Sequence, residues 1–279
     1  MDHCALNVAL YGDTSRWAMT ERGARHCARS AAHFQIGPSL VDTAGNTLRF
    51  SIDERCNPLP RRLQGEVTIG LDSCSREVFA LTHDAAHRWG PISPRARISV
   101  SLAEPRLGWE GWAYVDSNEG DEPIEKGFAA WDWSRAHLPD GSTAVLYEPR
   151  PPGVRATAQE SALGSMHDSS LARTAGGRRS SELLALCFRT GEAAQRFTPG
   201  ARQSLGRSAW RIAMHSYQEG AAPATLTRRL EDTPFYARSV LRCRVLGQEA
   251  EAMHETLDAG RFARHWVQSL LPWKMPRSA

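Results

Sequence analysis

The segment Arg97-Ile98-Ser99-Val100-Ser101-Leu102 alternates polar and aliphatic side chains at every position. Because successive side chains of a β-strand point to opposite faces of the sheet, this alternation predicts a strand with one buried and one polar face. Similar short segments, separated by turn-forming residues, occur along most of the chain. They are 4–11, 47–52, 65–71, 77–82, 109–115, 128–133, 142–147, 182–188, 208–214, 225–230, 237–246 and 252–257. Regularly spaced short strands predict an all-β fold of the sandwich or barrel type.

Two segments do not fit the strand pattern. Residues 15–32 carry Ala, Arg, Trp and Met without proline, and Thr14 or Ser15 can cap them, which predicts a short N-terminal helix. The C-terminal stretch 262–275 is apolar and aromatic, with Arg and Lys at its edges. We expect its large side chains to close the second half of the fold, because core packing is the commoner fate of such residues. The alternative is that this stretch touches a membrane surface.

A long stretch interrupts the strands in the second half of the chain. Residues 150–181 are rich in Pro, Gly, Ser, Ala and Arg and show no periodicity, which predicts a flexible linker. We therefore expect an N-terminal domain at residues 1–149 and a smaller C-terminal β domain at residues 182–279. If the strands 142–147 and 182–188 instead pair with each other across this stretch, the boundary lies elsewhere.

The bulk composition excludes several classes of protein. With 279 residues, 41% of them hydrophobic, the chain is long enough to bury a core. Its net charge of +3 is too small for a nucleic-acid-binding surface. It has no apolar run that could span a bilayer and no recognisable signal peptide, so we expect a cytoplasmic protein. The six cysteines form no C-x-x-C pair, which argues against a zinc site and against a disulfide framework.

Tryptophan is concentrated in one part of the chain. Five of the nine tryptophans lie between Trp89 and Trp133. Tryptophan often grips flat apolar ligands, although a Trp-rich β core is an equally simple explanation. We predict that Trp112, Trp131 and Trp133 contact such a ligand.

Two motifs place pairs of functional side chains two residues apart. HRWGPI begins at His87, and GWAYVDSNEGDEP begins at Gly111. Because residues i and i+2 of a strand share a face, His87 should lie beside Trp89, and Tyr114 beside Asp116. If the two strands are neighbours in one barrel, all four side chains converge on its interior.

Such a cluster is suited to acid–base chemistry. An aspartate that faces an apolar interior has a raised pKa, so Asp116 can stay protonated near neutral pH and donate a proton to an alkene. Aromatic faces stabilise the resulting cation, and His87 can take the proton of an attacking water. The simpler alternative is structural: Tyr114 and Asp116 hydrogen-bond a turn, and His87 is a satisfied core histidine.

Metal and cofactor chemistry are not expected. His83 and His87 form an H-x-x-x-H pair, but a zinc site needs three or four ligands and no third is marked nearby. The chain also lacks a P-loop, a G-x-G-x-x-G motif after a strand and a G-x-S-x-G nucleophile elbow. We therefore predict neither a metal nor an organic cofactor.

Several segments resemble the bacterial carotenoid 1,2-hydratases, also called hydroxyneurosporene synthases. Besides HRWGPI and GWAYVDSNEGDEP, the similar segments are HCALNVALYG from His3, MTERG from Met19, WDWSR from Trp131, GSTAVLY from Gly141 and LLPWKMPR from Leu270. The resemblance covers nearly the whole chain. Members of this family usually carry a further N-terminal stretch before the segment that begins here at His3.

The resemblance implies a lipocalin-like fold in two β halves and the addition of water to the C1=C2 bond of an acyclic carotenoid such as neurosporene or lycopene. In purple photosynthetic bacteria this is a step of carotenoid biosynthesis. It also implies that the H-x-W and Y-x-D pairs, His87 with Trp89 and Tyr114 with Asp116, are catalytic. The alternatives are a lipocalin-type protein that only binds a carotenoid or another isoprenoid, and an isomerase or cyclase on the same fold. Because carotenoids reside in membranes, a peripheral membrane contact is also expected.

Overall fold

The computed structural model describes residues 3–153, 183–220 and 222–278, and this part of the chain is mostly β-structure. The strands of the first half are β1 His3–Leu10, β2 Arg16–Gly23, β3 Cys27–Arg29, β4 His33–Ile36, β5 Ser39–Ala44, β6 Thr47–Arg55, β7 Arg62–Gly70, β8 Phe79–Ala80, β9 His87–Glu104 and β10 Leu107–Gly120. Those that follow are β11 Ala130–His137, β12 Thr143–Arg150, β13 Leu184–Phe188, β14 Gln195–Arg196, β15 Arg202–Arg207, β16 Ala213–Tyr217, β17 Thr225–Asp232, β18 Tyr236–Val245, β19 Gln248–Asp258 and β20 Arg277–Ser278. The helices are a 3-10 turn at Ala24–His26, α1 Ile124–Gly127, α2 Ala259–Phe262 and α3 His265–Lys274.

Two large antiparallel sheets make up most of the fold. The first has the order β10-β9-β7-β6-β5-β4-β3, with β8 paired to β9, and the second has the order β14-β13-β12-β11-β19-β18-β17. β1 and β2 form a hairpin that β20 joins in parallel, and β15 and β16 form another hairpin. The predicted all-β fold in two halves is confirmed.

The predicted helix at residues 15–32 is wrong. Residues Arg16–Gly23 form β2, which pairs along its whole length with β1, and the helical part is the single turn Ala24–His26. Local composition was overridden by tertiary contacts, because Ala18 is fully buried in the core of the first half.

The strands β11 and β12, predicted to belong to residues 1–149, hydrogen-bond within the second sheet. β11 pairs with β19, and β12 pairs with β13, from Thr143 opposite Phe188 to Tyr147 opposite Leu184. The alternative pairing across the long stretch is therefore the one observed, and the two sheets divide between β10 and β11. Most of the predicted linker, from residue 154 onward, lies outside the described residues. Independent folding of two domains stays a prediction.

The C-terminal helix α3 does not bury its large aromatic side chains. Val267 is its buried residue, whereas Trp266, Leu270 and Trp273 are exposed. The expectation that these three side chains close the core is therefore wrong. The helix packs on the fold through Val267 and through Lys274, which contacts the Trp17 ring and Glu231.

The two sheets share one core. Trp89 of β9 packs in the same cluster as Val145 and Tyr147 of β12 and Leu257 of β19. Burying aromatic side chains of this size contributes about 1.5–3 kcal/mol each relative to exposure. The shared cluster holds the ends of β9 and β10 against the second sheet, and the candidate site lies at this junction.

A buried ion pair joins the N-terminal hairpin to the first sheet. The terminal nitrogens Nη1 and Nη2 of Arg22 donate to Glu54, at 3.1 and 2.8 Å, and the Ser39 hydroxyl donates to the same carboxylate at 2.7 Å. Glu54 is 1% exposed. Breaking such a pair leaves an uncompensated buried charge, which costs about 3–5 kcal/mol.

We therefore predict that Arg22→Met lowers the free energy of unfolding by roughly 3–5 kcal/mol, measured by urea denaturation. The control is Arg62→Met, because Arg62 of β7 pairs at the surface with Asp53 of β6, the residue next to Glu54. It should change stability little. Equal effects of the two substitutions would contradict the importance assigned to the buried pair.

Candidate active site

An extension of β9 and β10, with the short strand β8 on the free edge of β9, carries three of the four predicted catalytic residues. β7 pairs with β9 only at residues 97–104, whereas β9 and β10 remain paired as far as His87 opposite Gly120. We call residues 87–93 of β9 and 115–120 of β10 the arm. Its pairing register shifts around residues 113–116, and such an irregularity bends a strand and redirects side chains. The arm is therefore free to leave the first sheet and pack on the second.

Asp116 and Trp89 meet within the arm. The indole Nε1–H of Trp89 donates a hydrogen bond to Oδ2 of Asp116 at 2.7 Å. Burial raises the pKa of the Asp116 carboxyl above its usual value, while the Trp89 donor, the Tyr114 hydroxyl and the Arg135 charge oppose this shift. The net effect is an aspartate that holds its proton to a higher pH than an exposed one.

Trp89 is fixed from all sides. It is fully buried, and its ring lies 5.5 Å from Phe79, 5.7 Å from Tyr147 and 6.4 Å from Phe188, measured between centroids. Such packing leaves the indole no alternative orientation. Trp89 therefore sets the position of the Asp116 carboxyl.

Tyr114 lies immediately before the arm and against the second sheet. Its ring centroid is 5.5 Å from that of Trp133, and the Arg135 guanidinium lies 5.7 Å from its ring centre. Burial, followed by the nearby charge of Asp116, raises the pKa of the Tyr114 hydroxyl above its usual range. Its hydroxyl is buried and, within the described residues, makes no hydrogen bond of good geometry, although it adjoins Asp116.

His87 is held at the end of the arm between two glycines. A Cβ at Gly127 would lie 2.4 Å from the imidazole Cδ2, and one at Gly120 would lie 2.8 Å from Nδ1, so neither position has room for a side chain. The Phe128 ring packs on the imidazole with centroids 4.7 Å apart. The imidazole Nε2 is buried without a hydrogen bond from any described residue, and the Glu122 carboxylate lies 3.8 Å away.

A cavity of about 540 Å³ opens beside these groups. Asp116 and His87 line it from the arm, and Phe128 lines it from the segment after α1. The opposite wall belongs to the second sheet. The residues of that sheet that line the cavity are Trp131, Trp133, Tyr147, Arg238 and Glu255. A carboxyl group with a raised pKa thus faces a wall that is aromatic on one side and charged on the other.

Of the three tryptophans predicted to contact the ligand, two lie at the cavity and Trp112 does not. Trp131 and Trp133 line the cavity. Trp112 lies outside it, 44% exposed, with the guanidinium groups of Arg95 and Arg97 each 4.3 Å from its ring centre. Although Trp112 shares strand β10 with Asp116, it precedes the register shift and stays with the first sheet. We correct the prediction for Trp112 accordingly.

Sequence reasoning did not find Tyr147, Arg238 and Glu255. Arg238 and Glu255 are charged residues within the predicted strands 237–246 and 252–257, which is a signal that a polar group faces inward. The register that sets Glu255 opposite Trp133, and Arg238 opposite Glu255, cannot be read from the sequence.

The two histidines of the H-x-x-x-H pair lie in different surroundings. His83 is exposed in the turn that precedes β9, whereas His87 is buried and lines the cavity. Among the residues that the structure describes, no three His, Cys, Asp or Glu side chains cluster as metal ligands. All six cysteines are free thiols.

The fold and the site together define an antiparallel β-protein with an aromatic-lined cavity around a buried, protonatable carboxyl group. The family model for carotenoid hydratase CrtC matches residues 1–279, and the chain belongs to this family.

Individual relatives carry a consistent name. The chain is 42% identical over 279 residues to an acyclic carotenoid 1,2-hydratase of Rubrivivax gelatinosus and 37% identical over 279 residues to one of Thiocapsa roseopersicina. These alignments cover 100% and 99% of this chain but 63% and 62% of those two relatives. An acyclic carotenoid 1,2-hydratase of Rhodobacter capsulatus is 30% identical over 281 residues, and 90% of it is covered. The chain thus spans less than two thirds of the length of the first two relatives.

The fold also resembles a solved structure. A crystal structure of a protein described as AttH from Nitrosomonas europaea superposes with a TM-score of 0.53 at 13% identity, covering 91% of this chain and 85% of that one. At this identity the likeness concerns the fold alone, which is lipocalin-like.

We predict that Trp89→Phe raises the pKa of Asp116 further. The substitution removes the N–H donor that stabilises the carboxylate and leaves the burial that opposes it. The measurement is a carboxyl-carbon NMR titration of Asp116. Trp112→Phe, on the same strand but outside the cavity, serves as the control and should leave the titration unchanged. A lower pKa in Trp89→Phe would contradict this account.

Proposed function

We propose that the protein is a cofactor-independent hydro-lyase that adds water to the C1=C2 double bond of an acyclic carotenoid of the neurosporene or lycopene type. The relatives' name, acyclic carotenoid 1,2-hydratase, supports this substrate class. The observation that carries the proposal is Asp116, a buried carboxyl with a raised pKa at the wall of an aromatic cavity. An unactivated alkene can accept a proton only from an acid that is still protonated at the working pH.

The first proposed step is protonation of the double bond. The Asp116 O–H bond breaks, its proton forms a bond to C2 with the π electrons, and a tertiary cation remains at C1. Trp131 and Trp133 line the cavity where this charge develops, and a cation over a desolvated aromatic ring gains about 2 kcal/mol or more. Tyr114 packs behind Trp133. We assign Trp89 to the carboxyl group rather than to the cation, because its N–H is bonded to Asp116.

Attack by water is the second proposed step. A lone pair of a water molecule forms the C1–O bond, and one proton of that water leaves to yield the tertiary alcohol. The His87 Nε2, buried and unpartnered in the described residues, is suited to accept a hydrogen bond from this water. Asp116 regains a proton by relay, so the catalyst is unchanged.

The carrier alternative is less well supported. A lipocalin-type binding protein would use the same aromatic cavity but has no need of an acid in it. Asp116 and His87 line one cavity, an arrangement that hydration requires and that a carrier does not. An isomerase or cyclase would begin with the same protonation, but the names of the relatives favour hydration.

We predict that Asp116→Asn lowers the hydration rate by about 10²–10⁴-fold while the carotene still binds, since an amide keeps the shape but cannot donate the proton. Purified protein is incubated with lycopene in liposomes without added cofactor, and the gain of one water is read by chromatography and mass. For the wild type, the rate should fall as pH rises through the raised pKa of Asp116, because only the protonated acid is active.

Asp72→Asn is the control, because Asp72 is exposed in the turn after β7 and should not affect the rate. Normal turnover by Asp116→Asn would rule out this mechanism. A wild type that binds lycopene without hydrating it would favour the carrier.

We also propose that this cytoplasmic protein binds a membrane surface through an aromatic surface around α3. The surface consists of Trp210, Trp266, Leu270 and Trp273. The Trp210 and Trp266 rings lie 6.2 Å apart, and the adjoining residues Arg211 and Arg264 are exposed. Exposed tryptophans next to basic residues suit the interface of an anionic bilayer. No helix in the described ranges is long and apolar enough to cross a membrane.

The aromatic surface is connected to the cavity. α3 contacts α2, α2 contacts α1, and Ile124 of α1 lines the cavity. Substrate dissolved in the bilayer would then have a short path into the protein.

We predict that the double substitution Trp266→Ala and Trp273→Ala reduces cosedimentation with phosphatidylglycerol-containing vesicles by at least about tenfold, because each interfacial indole contributes apolar contact. Trp109→Ala removes a tryptophan that is equally exposed, at 45%, but belongs to the first sheet, and should not affect sedimentation. A wild-type protein that stays in the supernatant, or a double variant that sediments normally, would refute the proposal.

A further inference from the structure

Four cavity residues form one row across four adjacent strands of the second sheet. Tyr147 of β12 pairs with Trp133 of β11, Trp133 pairs with Glu255 of β19, and Glu255 pairs with Arg238 of β18. All four line the cavity opposite Asp116. The row is aromatic in its first half and charged in its second half, so the wall facing the acid presents two different chemical environments.

The charged half of the row is a fixed ion pair. Arg238 Nη2 lies 2.9 Å from Glu255 Oε1. Its other nitrogens donate to the hydroxyls of Tyr236 and Tyr11, each at 2.8 Å. Burial opposes the charge on Arg238, but the Glu255 carboxylate prevails and raises the pKa of the guanidinium above its usual range. The guanidinium therefore stays charged and fixes the direction of the Glu255 carboxylate.

The Glu255 carboxylate remains accessible from the cavity. Its side chain is 21% exposed, and it is one of the residues that form the cavity wall. An apolar polyene makes no favourable polar contact with a charged pair. Burying charges also costs free energy unless they are well paired. The molecule that such a pair does bind well is water.

We infer that Glu255, oriented by Arg238, binds the water that attacks the cation and accepts the proton that this water releases. This inference rests on the proposed function and deepens it. A carboxylate in hydrogen-bond reach of the nucleophile is the usual arrangement for a general base. Asp116 and Glu255 then divide the work as acid and base, one on each wall of the cavity.

In the proposed step, water attacks C1 and transfers one proton to Glu255. A lone pair of the water oxygen forms the C1–O bond, one water O–H bond breaks, and its proton passes to Glu255. Asp116 has lost one proton to C2 and Glu255 has gained one from water, so exchange with solvent or relay through His87 restores both. His87 Nε2 accepts the second hydrogen bond of the same water, which gives the nucleophile two fixed partners.

Azide separates the roles of the acid and the base, because it attacks a cation without having to lose a proton. Wild type and the variants Glu255→Ala, Asp116→Asn and His87→Ala are each incubated with lycopene in liposomes, with and without sodium azide. We expect Glu255→Ala to hydrate at least about 10²-fold more slowly and to form the tertiary azide when azide is present. The cationic Arg238 that remains should draw the anion to the vacated position. Asp116→Asn should form neither product, because no cation is made.

Glu251→Ala is the matched control, since Glu251 lies on the same strand but is exposed and outside the cavity. It should hydrate like wild type and form no extra azide product. If Glu255→Ala does not fold, the isosteric Glu255→Gln is tested for the same two readings.

Normal hydration by the Glu255 variant would overturn the inference while leaving the proposed function intact. Slow hydration that azide does not divert would also overturn it, because the pair would then only tie Tyr11 to the second sheet. Azide capture in His87→Ala but not in the Glu255 variant would assign the base to His87. A wild type without hydrated product would refute the proposed function itself.

Discussion

The burial of the Asp116 carboxyl group against the Trp89 indole N–H is the constraint around which the site is arranged. A buried carboxylate is costly, so the neutral form gains relative to the charged one, and a single donor from a neutral ring does not reverse this. To bury that carboxyl, β9 and β10 must extend past β7 and press Trp89 into the core of the second sheet. The shared core of the two sheets therefore also determines the protonation state of Asp116, because it buries the carboxyl group.

The wall opposite Asp116 combines aromatic surface with one balanced pair of charges. Tyr147 and Trp133 offer aromatic surface, whereas Arg238 and Glu255 neutralise each other beside them. The Arg238 guanidinium is bound to a carboxylate and two tyrosine hydroxyls, so its charge is balanced within the wall. A free arginine at this position would favour the carboxylate form and remove the acid.

Much of the site was readable from the sequence, because it depends on spacing within single strands. The i, i+2 relation predicted Tyr114 with Asp116 and His87 with Trp89. In the structure Asp116 and His87 line the cavity, while Trp89 bonds the Asp116 carboxyl and Tyr114 packs on Trp133. The predictions that failed depended on how separate strands pair with one another. A register shift near residue 113 separates Trp112 from the cavity. The pairing of β12 with β13 was an alternative in the sequence analysis, but the domain boundary at residue 149 was drawn without it. The helix expected at 15–32 failed for the same reason, since pairing with β1 outweighed its composition.

Buried polar atoms without hydrogen-bond partners give a further reason to interpret the cavity as an active site rather than as a binding site for a polyene alone. Two buried side-chain groups that line it have no hydrogen-bond partner among the described residues: the His87 Nε2 and the Trp133 Nε1. Each such group costs about 1–3 kcal/mol if it stays unpaired, and a cavity meant only for a polyene would be more stable with apolar replacements. Water molecules bound among these groups would satisfy them, and water is the second substrate of a hydration. A cavity that binds water at these groups would therefore bring it to the carbon cation that we propose forms beside Asp116.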